Sequence, residues 1–299
     1  SGAAILPKAK ACPAVPGEVP VGTPTIYAQV NSASSIYASS GVKPEEVNLV
    51  LLNGGINDIG FPLIVDPFTK EKNLIKLSKK FCLEEMEKLL LTLNKTFPKA
   101  DLVVTGYYPM ISRKTDPEFL TKLIRAFFGL PKGNDLLRQA AKKQKEQLKR
   151  AERTNDVNLM QSNWLIDRLA ILSDVWKRTS DADLEAAVSR INSRSDSLPG
   201  PGTRAVFVKV NFLPEECYGA SNTHLWKITG SGGGIGNLET DDQMFSQRAE
   251  TCRLVAADLN SRAKLICPIA GTGHPNLSGS KKYADAIMDQ LKCLLAGPC

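Results

Sequence analysis

The chain has 299 residues, 42% of them hydrophobic, with a formal net charge of +7 and a pI of about 9.0. That is enough apolar material for a large core, while no apolar run is long enough to span a bilayer. The positive excess gathers in "RQAAKKQKEQLKRAER" (138–153); with no aromatic residues between the charges it reads as a solvated helix face, and no nucleic-acid partner is expected.

In chain order, residues 1–24 are rich in Pro and Gly and read as irregular. "TIYAQVNSASSIY" reads as a short helix, and "VNLVLL" (47–52) as a strand buried on both faces. Residues 74–97 have apolar side chains at helical spacing. "ADLVVTGYYP" (100–109) reads as a second buried strand stopped by Pro109. Several helices are expected over 117–190, a third strand over 204–212 and a loop-rich stretch over 213–245. A helix over 244–263, a short strand over 264–270 and a closing helix over 277–295 complete the series. Strands alternating with helices imply a parallel sheet with helices on both faces, and ligands in such sheets sit beyond the carboxyl ends of the strands.

The seven cysteines are Cys12, Cys82, Cys217, Cys252, Cys267, Cys293 and Cys299. None forms a C-x-x-C pair and there are only two histidines, so a zinc site is not expected. Scattered cysteines and two sequons, at Asn94 and Asn276, favour an oxidising compartment, with at least two disulfides and one odd thiol. Cys267 reads as a disulfide or buried thiol, and Trp164, Trp176 and Trp226 as packing residues. "GSGGGIG" (230–236) joins no strand to a helix, so it is not a nucleotide fingerprint.

Two stretches carry chemistry. In "VLLNGGINDIGF" (50–61) an apolar run ends in two glycines followed by Asn57 and Asp58; a strand-end asparagine can present its N–H to a developing oxyanion. In "GTGHPNLSGSKKYADAI" (271–287) His274 opens a helix, where it can take a proton from a nucleophile. Asp58 is expected to brace its own turn.

Together and in this order the two stretches resemble the third and last conserved blocks of the SGNH, or GDSL-type, hydrolases. "ADLVVTGYYPMI" looks like the strand between those blocks, and "SGAAIL" is similar to the second block. The resemblance implies a single domain over 1–299: a three-layer α/β/α sandwich with a mainly parallel, flavodoxin-like sheet, a helical insertion at about 117–200 and a loop insertion at about 213–245. It implies a secreted carboxylic-ester hydrolase acting through a serine acyl-enzyme, without cofactor or metal, on a small-molecule, lipid or carbohydrate ester. His274 becomes the base, while Asn57 and the Gly2 N–H become oxyanion donors. Gly55, Tyr108 and His224 are the candidate substrate contacts.

The chain departs from the family twice. The first block, Gly-Asp-Ser, is absent, and "RSDSLPG" around Ser197 precedes a strand instead of following one, so it is read as a decoy. The serine is expected on a segment upstream of Ser1, present as a separate chain or an omitted stretch, which would also complete the sheet. Second, the family's aspartate three residues before the base is Gly271 here. A carbonyl, Thr272 or a distant carboxylate then orients His274, or the base works in a dyad. An SGNH fold that has lost its chemistry and serves as a binding module is the competing reading; a structural protein using the basic helix is a third.

Overall fold

The computed structural model describes residues 4–7, 25–157, 163–194, 204–229, 239–254 and 267–296. Gly2, Ser197, the glycine-rich 230–236 and Cys12 and Cys299 lie outside them.

Three short aliphatic runs form one parallel sheet: β1 (Leu49–Leu52), β2 (Asp101–Thr105) and β3 (Ala205–Val208), in the order β1-β2-β3. Leu51 lies opposite Val103, and Val103 opposite Val206. Strand alternation sends the side chains of β2 to two cores. Leu102 and Val104 join Leu89, Leu90 and Leu93, whereas Val103 joins Val208 and Leu294 of the closing helix, Leu277–Ala296. Helices therefore cover both faces of β2. This mixed α/β arrangement around a parallel sheet was expected.

β1 corrects one expectation. It is a strand, but Leu49 is 39% and Leu51 52% exposed. The closing helix packs on β2 and β3, and among the described residues no strand pairs with the outer edge of β1. β2 also ends earlier than expected, at Thr105, with Gly106 accompanying the turn instead of Pro109.

The helical elements follow the sequence with informative differences. Thr25 caps α1 (Ile26–Ser39) by accepting the Ala28 N–H. After the single turns α2 (Ile56–Ile59) and α3 (Phe61–Val65), the amphipathic stretch runs as α4 (Glu71–Ser78), a π-helical segment Lys79–Glu85, and α5 (Met86–Thr96). The wider π turn buries three consecutive residues, Phe81, Cys82 and Leu83, which a pure 3.6-residue period would not do. The 117–200 stretch holds α6 (Pro117–Phe128), capped by Asp116, then α7 (Leu130–Thr154) and α8 (Trp164–Asn192), capped by Asn163. The charged stretch lies in α7 and is largely exposed, whereas α8 packs on β3, α5 and the π segment and buries Leu172, Trp176 and Leu184. Its last helix is thus part of the core, not an appendage. A two-stranded ribbon, β4 (Ile228–Thr229) with β5 (Glu239–Thr240), leads to α9 (Phe245–Leu254) and the closing α10 (Leu277–Ala296). The short strand expected over 264–270 is not found in its described part, where 267–270 form turns.

Cys252 and Cys267 form a disulfide; Cys82 and Cys217 are free and buried. Asn94 is fully buried inside α5, and the Asn276 side chain donates to the Thr223 carbonyl while accepting the Gly279 N–H. Both sequon amides thus serve the fold, which removes the sequons as an argument for an oxidising compartment and leaves the disulfide.

Candidate active site

The double glycine after β1 is required by packing. A Cβ on Gly54 would lie 2.8 Å from Ile26 Cδ1, and one on Gly55 2.7 Å from Cys82 Sγ. Gly55 also has φ 115°, outside the range of other L-residues. The chain can thus turn tightly over the π segment and enter the helical turn that carries Asn57. Beside it, the Asn53 side chain donates to Thr105 O at 2.9 Å and to Thr105 Oγ1 at 3.1 Å, lacing the ends of β1 and β2 together.

Asp58, expected to brace its own turn, reaches across the molecule. Its carboxylate accepts the backbone N–H of Ile5 at 2.8 Å and of Leu6 at 3.0 Å. The Ala4 carbonyl accepts the Ile26 N–H at 2.9 Å, and Ala4 and Ile5 are fully buried. A carboxylate is the acceptor best suited to two N–H groups of an extended segment. Ile5 and Leu6 and the "GGIND" turn are therefore in contact here.

The His274 loop is built from the other side. Residues 224–226 pair antiparallel with it through the bridge Leu225–Pro275. Trp226 N donates to His274 O at 2.9 Å, and Gly273 N to Trp226 O at 2.7 Å. Asn276 then caps α10. His274 Nδ1 stands 3.1 Å from Gly271 O. A carbonyl only accepts, so this contact places a proton on Nδ1, the tautomer that a base acting through Nε2 would require. The carbonyl, one of the three candidates, is thus a group that orients His274. Thr272 is committed elsewhere: its hydroxyl meets Trp226 O at 3.1 Å and the Tyr218 hydroxyl.

Two adjacent tyrosines join the halves. The Tyr107 hydroxyl accepts the Ile56 N–H at 3.0 Å, next to Asn57, and the Tyr108 hydroxyl donates to Gly273 O at 2.6 Å, next to His274. Both are buried. Burial holds both phenols well above their ordinary pKa, so they stay protonated and hydrogen-bonded. Tyr107 packs at a tilt of 48° and 5.0 Å against Trp176, and its backbone N–H lies 3.4 Å from Asp181 Oδ1, a carboxylate paired with Lys177 at 2.5 Å. Tyr108 stacks at 5.0 Å on Phe212.

Of the residues singled out from sequence, Asn57 and His274 lie on turns anchored to one strand end, while Gly2 lies outside the described residues. Gly55 serves the turn. Tyr108 is buried and committed to Gly273. His224 pairs by its backbone with Asn276, packs its ring 5.8 Å from Phe212, and has Nδ1 3.8 Å from Glu216 Oε1. Tyr108 and His224 thus hold the His274 loop. Tyr107, Asn53, Cys82 and Trp226 were not identified as site-building residues; a pair of tyrosines directly after a buried strand was the available signal. Trp226, read as packing, is partly buried and holds the His274 backbone. No protein-family model, no curated protein and no solved structure matches this chain.

Proposed function

We propose that this protein is a secreted SGNH-type carboxylic-ester hydrolase with a three-layer, flavodoxin-like fold, whose nucleophilic serine is supplied by a segment outside this sequence. The observation that carries the reading is the shared anchorage of the two motifs, through Tyr107 to Ile56 and through Tyr108 to Gly273. His274 Nε2 takes the serine proton as the hydroxyl attacks the ester carbonyl. The Asn57 side chain and the Gly2 N–H receive the oxyanion. Collapse of the tetrahedral adduct expels the alcohol, which takes the proton back from His274, and water then cleaves the acyl-enzyme by the same route. The Gly271 carbonyl replaces the family's aspartate, so the base works in a serine–histidine dyad. The disulfide supports an extracellular setting.

The partner segment pairs as a strand with the outer edge of β1. Supporting this, Leu49 and Leu51 are exposed there beside a groove of about 250 Å3 lined by Val30, Tyr37, Leu93 and Phe97. Exposed apolar strand edges are templates for strand addition.

The test is fluorophosphonate labelling and p-nitrophenyl ester turnover of the protein with its upstream segment. Labelling of a serine outside 1–299, abolished turnover in His274→Ala, and a loss of roughly 10²–10³ in kcat for Asn57→Ala are expected. Gly271 in the acid's place favours the competing reading, a binding module; an absence of both labelling and turnover would establish it.

A further inference from the structure

A carbonyl orients a ring only as well as its own peptide is held, and the Gly271 peptide is held unusually. A Cβ on Gly271 would lie 2.0 Å from Asp242 Oδ2, 3.0 Å from Asp242 Cγ and 2.9 Å from Arg248 Nη2. The Asp242 carboxylate therefore occupies the volume that any side chain at 271 would take. It is paired at 2.5 Å with Arg248 Nη1, and the same nitrogen donates to Pro268 O at 3.3 Å. Both residues are buried, Arg248 to 2% exposure. Asp242 is itself fixed, with its Oδ1 accepting the Met244 N–H at 2.9 Å and its backbone N–H donating to Thr240 Oγ1 at 3.3 Å. The helix that carries Arg248 is tied to the same turn by the Cys252–Cys267 disulfide.

We propose that Asp242, clamped by Arg248, is a positioning residue for His274: its carboxylate fills the side-chain space at Gly271 and fixes the peptide whose carbonyl receives the His274 Nδ1 proton. The inference rests on His274 being the base. The pair is charge-balanced, so it acts on the ring through geometry and not through net charge. It also accounts for the glycine at 271, since an aspartate there would displace the carboxylate already in place.

The test reads the imidazole directly. With only these 299 residues 15N-labelled, His224 and His274 are the two histidines in the spectrum, and His224→Gln assigns them. Imidazole 15N shifts distinguish the two neutral tautomers, and the parent should show His274 protonated on Nδ1. The double variant Asp242→Ala/Arg248→Met removes the clamp without leaving a buried charge unpaired. It should turn His274 into a tautomer mixture and lower kcat on p-nitrophenyl butyrate about 10–100-fold at unchanged KM, with the His224 signals unmoved. Gly271→Ala, which expels the carboxylate, should give the same signature. Asp242→Asn keeps the volume and should keep the tautomer. A His274 that stays Nδ1-protonated in whichever of the two disruptive variants folds would overturn the proposal, as would loss of the tautomer in Asp242→Asn. A tautomer change in a protein without esterase activity would uphold the positioning role and sink the enzymatic reading; a His274-dependent esterase with no tautomer change would do the reverse.

Discussion

Tyr107 and Tyr108 are neighbours in the chain that hold opposite halves of the candidate site, one bound to Ile56 N–H at 3.0 Å and the other to Gly273 C=O at 2.6 Å. Successive residues beyond a strand end project to opposite sides, so a single dipeptide can tie two loops to one sheet. Tyr108→Phe keeps the ring on Phe212 and deprives the Gly273 carbonyl of its tyrosine donor. We expect a loss of about 1–3 kcal/mol in urea unfolding. Turnover should fall with KM nearly unchanged, because the His274 loop loses its anchor. An unchanged urea midpoint together with unchanged turnover would show that the bond anchors nothing.

Four buried tyrosines predict the alkaline limit of the fold. Burial raises the pKa of Tyr107, Tyr108, Tyr218 and Tyr283 above the ordinary phenol value. A group with a raised folded pKa leaves stability intact below its unfolded value; above it the unfolded chain ionises first and stability drains away. Stability should therefore hold up to about pH 10 and fall steeply beyond. Phenolate absorbance at alkaline pH should show these four titrating together with loss of circular dichroism; smooth independent titration in a folded protein would contradict it.

At Gly55 two constraints coincide, φ 115° and the Cys82 sulfur 2.7 Å from a would-be Cβ. Gly55→Ala should cost on the order of 1–3 kcal/mol from backbone strain alone, with the sulfur contact adding to it. In a Cys82→Ala background only the strain remains, so the penalty should shrink by roughly 0.5–3 kcal/mol, the usual range for coupled neighbours. Strictly additive single and double variants would mean that the two residues do not touch in solution.

How much of this was legible in the sequence differs by element. The three strands and their parallel order follow from short aliphatic runs separated by helical periodicity, and the motifs at 54–58 and 271–276 stand out because glycine, asparagine and histidine interrupt those runs. Three features were not legible, for physical reasons. The π turn changes the helical period without changing composition, so Cys82 looked like any buried cysteine. The reach of Asp58 to Ile5 and Leu6 is a long-range contact that no local pattern encodes. The exposure of Leu49 and Leu51 depends on what pairs with β1, and an apolar strand reads the same whether its edge is covered or open.

The Asp58 contact has its own consequence. Asp58→Ala removes the shared acceptor of the Ile5 and Leu6 N–H groups, and hydrogen bonds to a charged partner are each worth about 1.5–3 kcal/mol. Amide exchange at Ile5 and Leu6 should accelerate well before exchange at Val103 or Val104 in the centre of the sheet. Equal acceleration at both places would mean that the 4–7 segment and the sheet unfold as one unit.

The last prediction concerns the edge of β1. Leu51 lies in register with Val103, which is fully buried, yet Leu51 itself is 52% exposed; Leu49, two residues earlier on the same face, is 39% exposed. Covering them requires another strand beside β1 and the apolar floor that such a strand brings. Among the described residues this edge has no partner strand beside its leucines, and an exposed apolar strand edge is the combination that recruits other chains. The 299-residue chain by itself should therefore self-associate, and Leu49→Lys with Leu51→Lys should suppress this by placing charge on the edge. If the proposed strand addition is right, the same double substitution should abolish any esterase activity gained by adding the serine-bearing segment in trans, since that segment needs the edge. Sedimentation velocity and p-nitrophenyl ester turnover on the same preparations read both effects. A parent chain that remains monomeric at high concentration, or lysine variants that still gain full activity in trans, would show that β1 needs no further strand.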